Sequence, residues 1–424
     1  MPHLHVALVT ERPEASLIPI LQLRPQRIVL IPCHSSPQAT ERLVILLRHE
    51  LPRDTRIEAY PSLPSDEPRR CAEYADALAD TLYRQQFDTP SLTVTLDVGG
   101  CRTLIALLFQ QALQRCAADL LYADVKAGAI YRLSHDDPGS APEVMAIEPV
   151  LDIDRYLQAN GRKRVRALSD SMEWRSSCMQ RRSLTRHLAQ HADRLASLLG
   201  ELHDMVHGDG GVLENPDPHA SPRLRTGAEH QRLHVAPRFP ATDALTALSE
   251  AGLLEWDNQA PCSLSITSLE GAHYLGGGWL TEYAWLSAQE ARLSQVCSGA
   301  HLLDLNVDRN DRPVVPSCLA VERNQLLFIE CLIARPGAED CLEQGLKRLH
   351  GMLNHSAGLN ATRVLLACGE FDKASQRLTE LQRIQGMHVA VVEGEELKHL
   401  PALLANWKDN GSWPEAVPMP LNPR

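Results

Sequence analysis

Three short apolar runs, each closed by a polar turn and parted from the next by a helix-length stretch, set the tightest limit on how this chain folds. The runs are His5–Thr10, Arg27–Pro32 and Ser91–Asp97. The stretches Gln38–His49, Arg69–Gln86 and Cys101–Arg115 carry helical spacing. Strands alternating with helices of this length imply βαβ units and a largely parallel, doubly wound sheet. Leu120–Asp124 and Ala129–Leu133 read as a closing strand pair.

The pattern then changes. Asp, Pro, Gly and Ser cluster from Pro138 to Arg162, and a single long amphipathic helix is expected from Ser183 to His207. That helix carries His187/His191 and His203/His207, two i, i+4 pairs that can bind a metal but come without an HExxH pattern or a third ligand. Gly208–Pro240 reads as an exposed loop, and Ala241–Tyr274 as a small helical or winged-helix module. Gly276-Gly277-Gly278 opens a further helix through Trp279 and Tyr283. Strands are expected at His301–Val307, Cys318–Val321 and Leu326–Leu332, and the rest is α/β until a proline-rich tail. The division expected is 1–140 for the first sheet, 141–240 for a linker, 241–274 for the module, 275–410 for a second α/β domain and 411–424 for the tail.

No apolar run approaches the roughly 18 residues a membrane span needs. Eleven cysteines, an odd number without a CxxC pair, favour reduced thiols in a cytoplasm over a disulfide framework. A formal net charge of −11 argues against broad affinity for nucleic acid but leaves room for a local basic groove. The densest basic segment, Arg162, Lys163, Arg164 and Arg166 with Arg175, Arg181, Arg182 and Arg186, reads either as a solvated helical linker face or as a phosphate-facing surface.

The strongest N-terminal feature is a strand running into Asp97-Val98-Gly99-Gly100-Cys101-Arg102-Thr103 and then a helix. Glycines let the backbone turn tightly and approach a ligand, and the amides of the following helix N-terminus favour an anion. Thr103 adds a hydroxyl and Arg102 a fixed charge. In doubly wound sheets ligands bind outside the carboxyl ends of the strands, where the loops holding Thr10, Glu11, Ser35 and Ser36 also arrive. The turn is not GxGxxG, so a dinucleotide cofactor is not expected.

Together these segments resemble the CARF (CRISPR-associated Rossmann fold) domain, whose Gly-Gly-Thr-Lys-like turn has its counterpart in Gly99-Gly100-Cys101-Arg102. The resemblance implies a two-fold homodimer that holds a cyclic oligoadenylate, commonly the tetra-adenylate, at the dimer axis. Its ligand-binding residues would be Thr10, Glu11, Ser35, Ser36, Gly99, Gly100, Cys101, Arg102 and Thr103.

The second half resembles the PD-(D/E)XK nuclease domain of the two-domain, CARF-linked effectors of type III CRISPR systems. The residues concerned are Leu275-Gly-Gly-Gly-Trp-Leu-Thr-Glu-Tyr283 and Leu319-Ala-Val-Glu-Arg-Asn-Gln-Leu-Leu-Phe-Ile-Glu-Cys331. That chemistry uses carboxylates to hold Mg²⁺ or Mn²⁺ and a lysine beside the attacking water. Glu330 stands at the Glu of E-x-K and Glu282 remains on the helix, so these two are the candidate catalytic residues and Glu330 the candidate metal ligand. Ser317 stands where the aspartate belongs, Leu332 where the lysine belongs, and Thr281 at the first acidic position of the helix. Losing one preorganised charged group typically costs about 10²–10³ in rate. Asp304, Asp308 and Asp311 are the remaining nearby carboxylates.

Four functions follow as expectations. One is a cyclic-oligoadenylate sensor coupled to an impaired nuclease domain, and another a stimulated, metal-dependent nuclease on single-stranded DNA or RNA. The third is a ring nuclease that degrades its ligand without metal, and the fourth a transcription regulator. No membrane partner is expected, and a metal only if the nuclease is active.

Overall fold

The structure, a computed structural model, describes residues 3–10, 12–33, 37–64, 67–137, 139–214, 222–305, 314–333, 345, 349, 361–369 and 389–414. The first half winds as β1 (His3–Val9), α1 (Glu14–Leu23), β2 (Arg27–Pro32), α2 (Pro37–Glu50), β3 (Arg56–Ala59), α3 (Pro68–Asp88), β4 (Thr93–Asp97), α4 (Thr103–Leu113), β5 (Asp119–Asp124), β6 (Ala129–Leu133) and β7 (Glu143–Ala146). These strands form one seven-stranded sheet in the order β3-β2-β1-β4-β5-β6-β7. The pairs from β3 to β5 are parallel, and β6 and β7 close the edge antiparallel. The buried run Leu4 to Val9 explains the parallel arrangement: with helices on both faces, a central strand is apolar throughout. Its even residues pack with Leu78 and Phe109 of α3 and α4, and Ala7 and Val9 with Leu17 and Leu43 of α1 and α2.

The connection is more structured than the sequence suggested. α5 (Ile153–Ala159) leads to β8 (Arg162–Arg166), and then come α6 (Met172–Gln180), α7 (Arg182–Gln190) and α8 (Ala192–His207). The long helix expected from Ser183 is thus two, broken at His191, whose backbone leaves the helical region at φ −119°. The basic run Arg162–Arg166 is a strand, not a helical face. It pairs antiparallel with β15 (His301–Asp304), where a salt bridge of 3.0 Å between Arg162 and Asp304 fastens the two.

A ribbon of β9 (Leu213–Glu214) and β10 (Arg223–Leu224) precedes the small module. There β11 (His230–Arg232), β12 (Glu255–Trp256) and β13 (Ser263–Ser265) form a three-stranded sheet beside α9 (Ala241–Glu250), and α10 (Leu269–His273) follows. The second α/β unit has α11 (Trp279–Glu290), then a five-stranded sheet in the order β14-β16-β17-β18-β19. Here β14 is Gln295–Ser298, β16 Cys318–Glu322, β17 Gln325–Ile333, β18 Ala361–Cys368 and β19 Ala390–Glu393. The last helix is α12 (Leu400–Asn410). The expected strand at His301 therefore pairs with β8 rather than with β16. On the side away from β17, β16 pairs with β14, which the sequence reading missed.

Alternation along β17 splits its side chains between two interiors. Leu327, Ile329 and Ile333 face Trp279 and Tyr283 of α11, whereas Leu326, Phe328 and Leu332 join a core that continues into the first half through Tyr156, Leu17 and Leu43. Asn324, in the left-handed turn between β16 and β17 (φ 61°), is fully buried at this seam. Its side chain accepts from the Leu151 amide at 2.8 Å and donates to the Glu148 carbonyl at 2.6 Å. No helix among the described residues is long and apolar enough to cross a membrane.

Candidate functional site

The C-terminal ends of β1, β2 and β4 lie side by side at one edge of the first sheet, and the Cys33 amide donates to the Val9 carbonyl at 2.7 Å across it. At this edge β4 ends on Asp97, whose Oδ1 accepts the Gly99 amide at 2.8 Å. Gly100 has φ +73°, a conformation glycine adopts without penalty. A Cβ at Gly99 would come within 3.0 Å of the Ala15 carbonyl oxygen, and one at Gly100 within 3.1 Å of the Ala15 Cβ and 3.4 Å of Thr10 Oγ1. The turn is therefore packed against the loop from Thr10 to Ala15.

Pro19 inside α1 favours that approach, since it has no N–H to give the Ala15 carbonyl one turn back. Thr10 Oγ1 accepts the Arg12 amide at 3.2 Å, which orders the same loop. Arg102 is the N-cap of α4 and no side chain caps the helix there, so the first-turn amides and the exposed Arg102 and Thr103 present a positive end. Burial, then Asp97, pushes the Cys101 thiol up to about 12, so this cysteine stays protonated.

Thr10, Gly99, Gly100, Cys101, Arg102 and Thr103 are thus brought together as the sequence implied. Glu11, Ser35 and Ser36 lie outside the described residues. Sequence reasoning missed Asp97 as the anchor of the turn and the fully buried His5 beside it, with Nε2 3.4 Å from Asp97 Oδ2. An ionisable pair in two buried, adjacent strands was the signal available.

The nuclease-like constellation is arranged differently from its motif. Glu282 on α11 is 3% exposed, and both its oxygens are taken by Arg181, Nε at 2.9 Å and Nη2 at 2.5 Å. Arg181 also bonds Glu270 and stacks over Tyr274, 4.9 Å from the ring centroid. Burial raises the Glu282 carboxyl above the usual carboxylate range despite this pairing, and Glu282 and Glu270 hold the Arg181 guanidinium charged against its own burial. Glu330 sits on β17 between Ile329 and Cys331, so alternation places it on the face of Phe328 and Leu332, away from α11. The sheet thereby separates Glu282 from Glu330.

Ser317 links the Glu330 carboxylate to the strand. Its hydroxyl lies 3.4 Å from Glu330 Oε2 and accepts the Cys331 amide at 3.0 Å. Leu332 is buried in the seam core. Asp304 is engaged by Arg162, and Asp308 and Asp311 lie outside the described residues. Among the described residues no group of three or more His, Cys, Asp or Glu side chains could hold a metal ion. His203 Nδ1 and His207 Nε2 both meet the Gly276 carbonyl, at 2.9 and 3.0 Å.

Half of the basic segment is neutralised, Arg162 and Arg181 by the pairs already described. Arg164 bonds Asp154 and Asp170, and Arg186 bonds Glu290. Lys163, Arg166, Arg175 and Arg182 point to solvent.

No family model matches the chain, and no curated protein matches it significantly. Solved structures do. Protein VC1899 from Vibrio cholerae superposes with a TM-score of 0.73 at 16% identity, over 97% of this chain and 99% of that one. Can2 from Sulfobacillus thermosulfidooxidans, in complex with cyclic tetra-adenylate, superposes with a TM-score of 0.70 at 15% identity, over 96% and 97%. The likeness runs end to end, so the chain has the fold of these proteins: a Rossmann-like doubly wound sheet of the CARF type followed by a restriction-endonuclease-like α/β unit.

Proposed function

We propose that this chain senses a cyclic oligoadenylate, with four adenylates as the first choice, as a homodimer in the cytoplasm. Can2 holds cyclic tetra-adenylate on the same fold. The observation that carries the reading is the Gly99–Thr103 turn itself. A backbone bent by Gly100 opens the uncapped end of α4 beside Arg102 and Thr10, a donor set suited to a phosphodiester.

The dimer reading rests on an apolar face at the same end. Leu104 and Leu107 of α4 are 52% and 55% exposed, and Tyr122, Leu133 and Val144 stand exposed on neighbouring β5, β6 and β7. A monomer rarely leaves such a patch open, and a two-fold ligand suits an isologous interface. Residues 1–140 would then be the sensor, 275–410 the nuclease-like half and 141–274 their connection.

The second half is read as impaired. Its donor set does not fit a divalent cation: Glu330 is paired with Ser317, Glu282 is consumed by Arg181 behind the sheet, and Leu332 offers no charge. It would serve as a scaffold that moves with the sensor and presents a surface to a protein or to single-stranded nucleic acid, for which Lys163, Arg166, Arg175 and Arg182 are the available cations.

Calorimetric titration with cyclic tetra-adenylate tests the reading, with ligand breakdown and Mn²⁺-dependent cleavage of labelled single strands followed in the same sample. One ligand per dimer, with neither reaction, is expected. No binding of any ring size would remove the sensor, and robust Mn²⁺ cleavage lost in Glu330→Ala would restore the active nuclease.

A further inference from the structure

Beneath the Gly99–Gly100 turn lies a group of buried polar atoms, several of them without a hydrogen bond among the described residues. His5 on β1 and Asp97 on β4 are fully excluded from solvent, and Ser16 on α1 is 1% exposed. Among the described residues both ring nitrogens of His5, Asp97 Oδ2 and the Ser16 hydroxyl make no hydrogen bond, and the one polar contact of this set is the 3.4 Å approach of His5 Nε2 to Asp97 Oδ2. Each unsatisfied buried group costs about 1–3 kcal/mol, which an apolar side chain would avoid. The satisfied part of the cluster points elsewhere: Asp97 Oδ1 takes the Gly99 amide at 2.8 Å.

We propose that Asp97, held from behind by His5, is a positioning residue for the ligand: it pins the Gly99 amide so that Gly100 turns left-handed and the open end of α4 faces a ligand phosphate. The proposal rests on the cyclic-oligoadenylate reading of the turn. Asp97 itself never touches the ligand, because it is sealed under the turn and the Ala15 carbonyl. Its two oxygens differ in role: one fixes the backbone that makes the site, and the other faces His5 of the neighbouring strand at 3.4 Å. Without the carboxylate oxygen, the Gly99 amide has no partner at the end of β4 and the turn loses its anchor.

The test compares Asp97→Ala with Asp97→Asn, whose amide oxygen can still accept the Gly99 N–H while the charge facing His5 is gone. Two readouts are taken on the full chain: calorimetric affinity for cyclic tetra-adenylate and hydrogen exchange of the Gly99 to Thr103 amides. Asp97→Ala is expected to lose at least about tenfold in affinity, the scale of a misplaced charge-assisted hydrogen bond, and to exchange faster in the turn. Asp97→Asn should keep affinity within about threefold and keep the turn protected, even where its melting temperature falls as far as that of the alanine variant. Affinity that follows melting temperature in both variants would mean a merely structural role and would overturn the proposal. So would unchanged binding and exchange in Asp97→Ala. A native chain that binds no cyclic oligoadenylate would instead bring down the ligand reading, and this proposal with it.

Discussion

Arg181 closes on Glu282 with two parallel hydrogen bonds, Nε to Oε2 at 2.9 Å and Nη2 to Oε1 at 2.5 Å, inside a pocket finished by Tyr274 and Cys178. Breaking one side of a buried pair strands the other charge. Glu282→Ala is therefore expected to lose about 3–5 kcal/mol of stability, whereas Arg181→Met combined with Glu282→Met should recover most of it. Denaturant unfolding of these two variants beside the native chain checks this. A double variant whose loss exceeds that of Glu282→Ala, as independent losses adding together would give, would show that the pair is not coupled.

Gly100→Ala forces a Cβ into a left-handed residue 3.1 Å from the Ala15 Cβ. A loss of about 1–2 kcal/mol is expected from the backbone alone. Affinity for cyclic tetra-adenylate should fall with it, because the loop from Thr10 to Ala15 must retreat. Gly128→Ala, also at positive φ but with nothing within 4 Å, is the control: it should pay the backbone cost and keep its affinity.

Much of the first sheet was legible in the residues. The runs at β1, β2 and β4 are apolar because they are covered on both faces, and Gly99-Gly100 marked the turn. β3 and β7 escaped notice because they are edge strands with largely exposed residues, so they carry no apolar run. The strand at Arg162–Arg166 was read as a basic linker or phosphate-facing surface because its strand partner β15, with the acid Asp304 that matches Arg162, is remote in sequence. The candidate site divides in the same way. Thr10 and the residues 99–103 were legible, since a turn is a local object. The separation of Glu282 from Glu330 was not, because it depends on which face of β17 each neighbour covers.

Leu104→Asp together with Leu107→Ser is expected to leave a monomer in place of the proposed dimer, because two exposed apolar side chains on α4 would become polar in the interface proposed there. Sedimentation velocity reads the change. Protomer stability should move by no more than about 0.5 kcal/mol, as both positions are open to solvent in the single chain. A native protein that sediments as a monomer at all concentrations, with or without ligand, would refute the interface.

Burial, the neighbouring His5 and Arg132 lower the pKa of His3 to about 4, and Asp119 opposes them only partly. Its Nε2 lies 2.9 Å from Thr95 Oγ1. The folded state therefore favours the neutral ring, while an unfolded chain takes up a proton near the ordinary value of 6.5. The unfolded state binds more protons between these values, so stability should decline as pH falls from about 6.5 to about 4. Denaturant midpoints across that window should flatten in His3→Gln, and an unchanged slope would remove His3 as the cause.

Leu17 and Leu43 on the helices flanking the first sheet, Tyr156 of the connection and Phe328 and Leu365 of the second sheet share one interior, with Asn324 bonded across it. No plane divides the chain there without baring apolar surface to water. A shared core of this kind disfavours a hinge at the seam, so under the proposed sensor reading one half would not swing freely against the other. In the proposed homodimer the signal would instead pass as a rotation of whole protomers about a shared axis, and the quantity to change would be the spacing between two second sheets belonging to different copies of the chain.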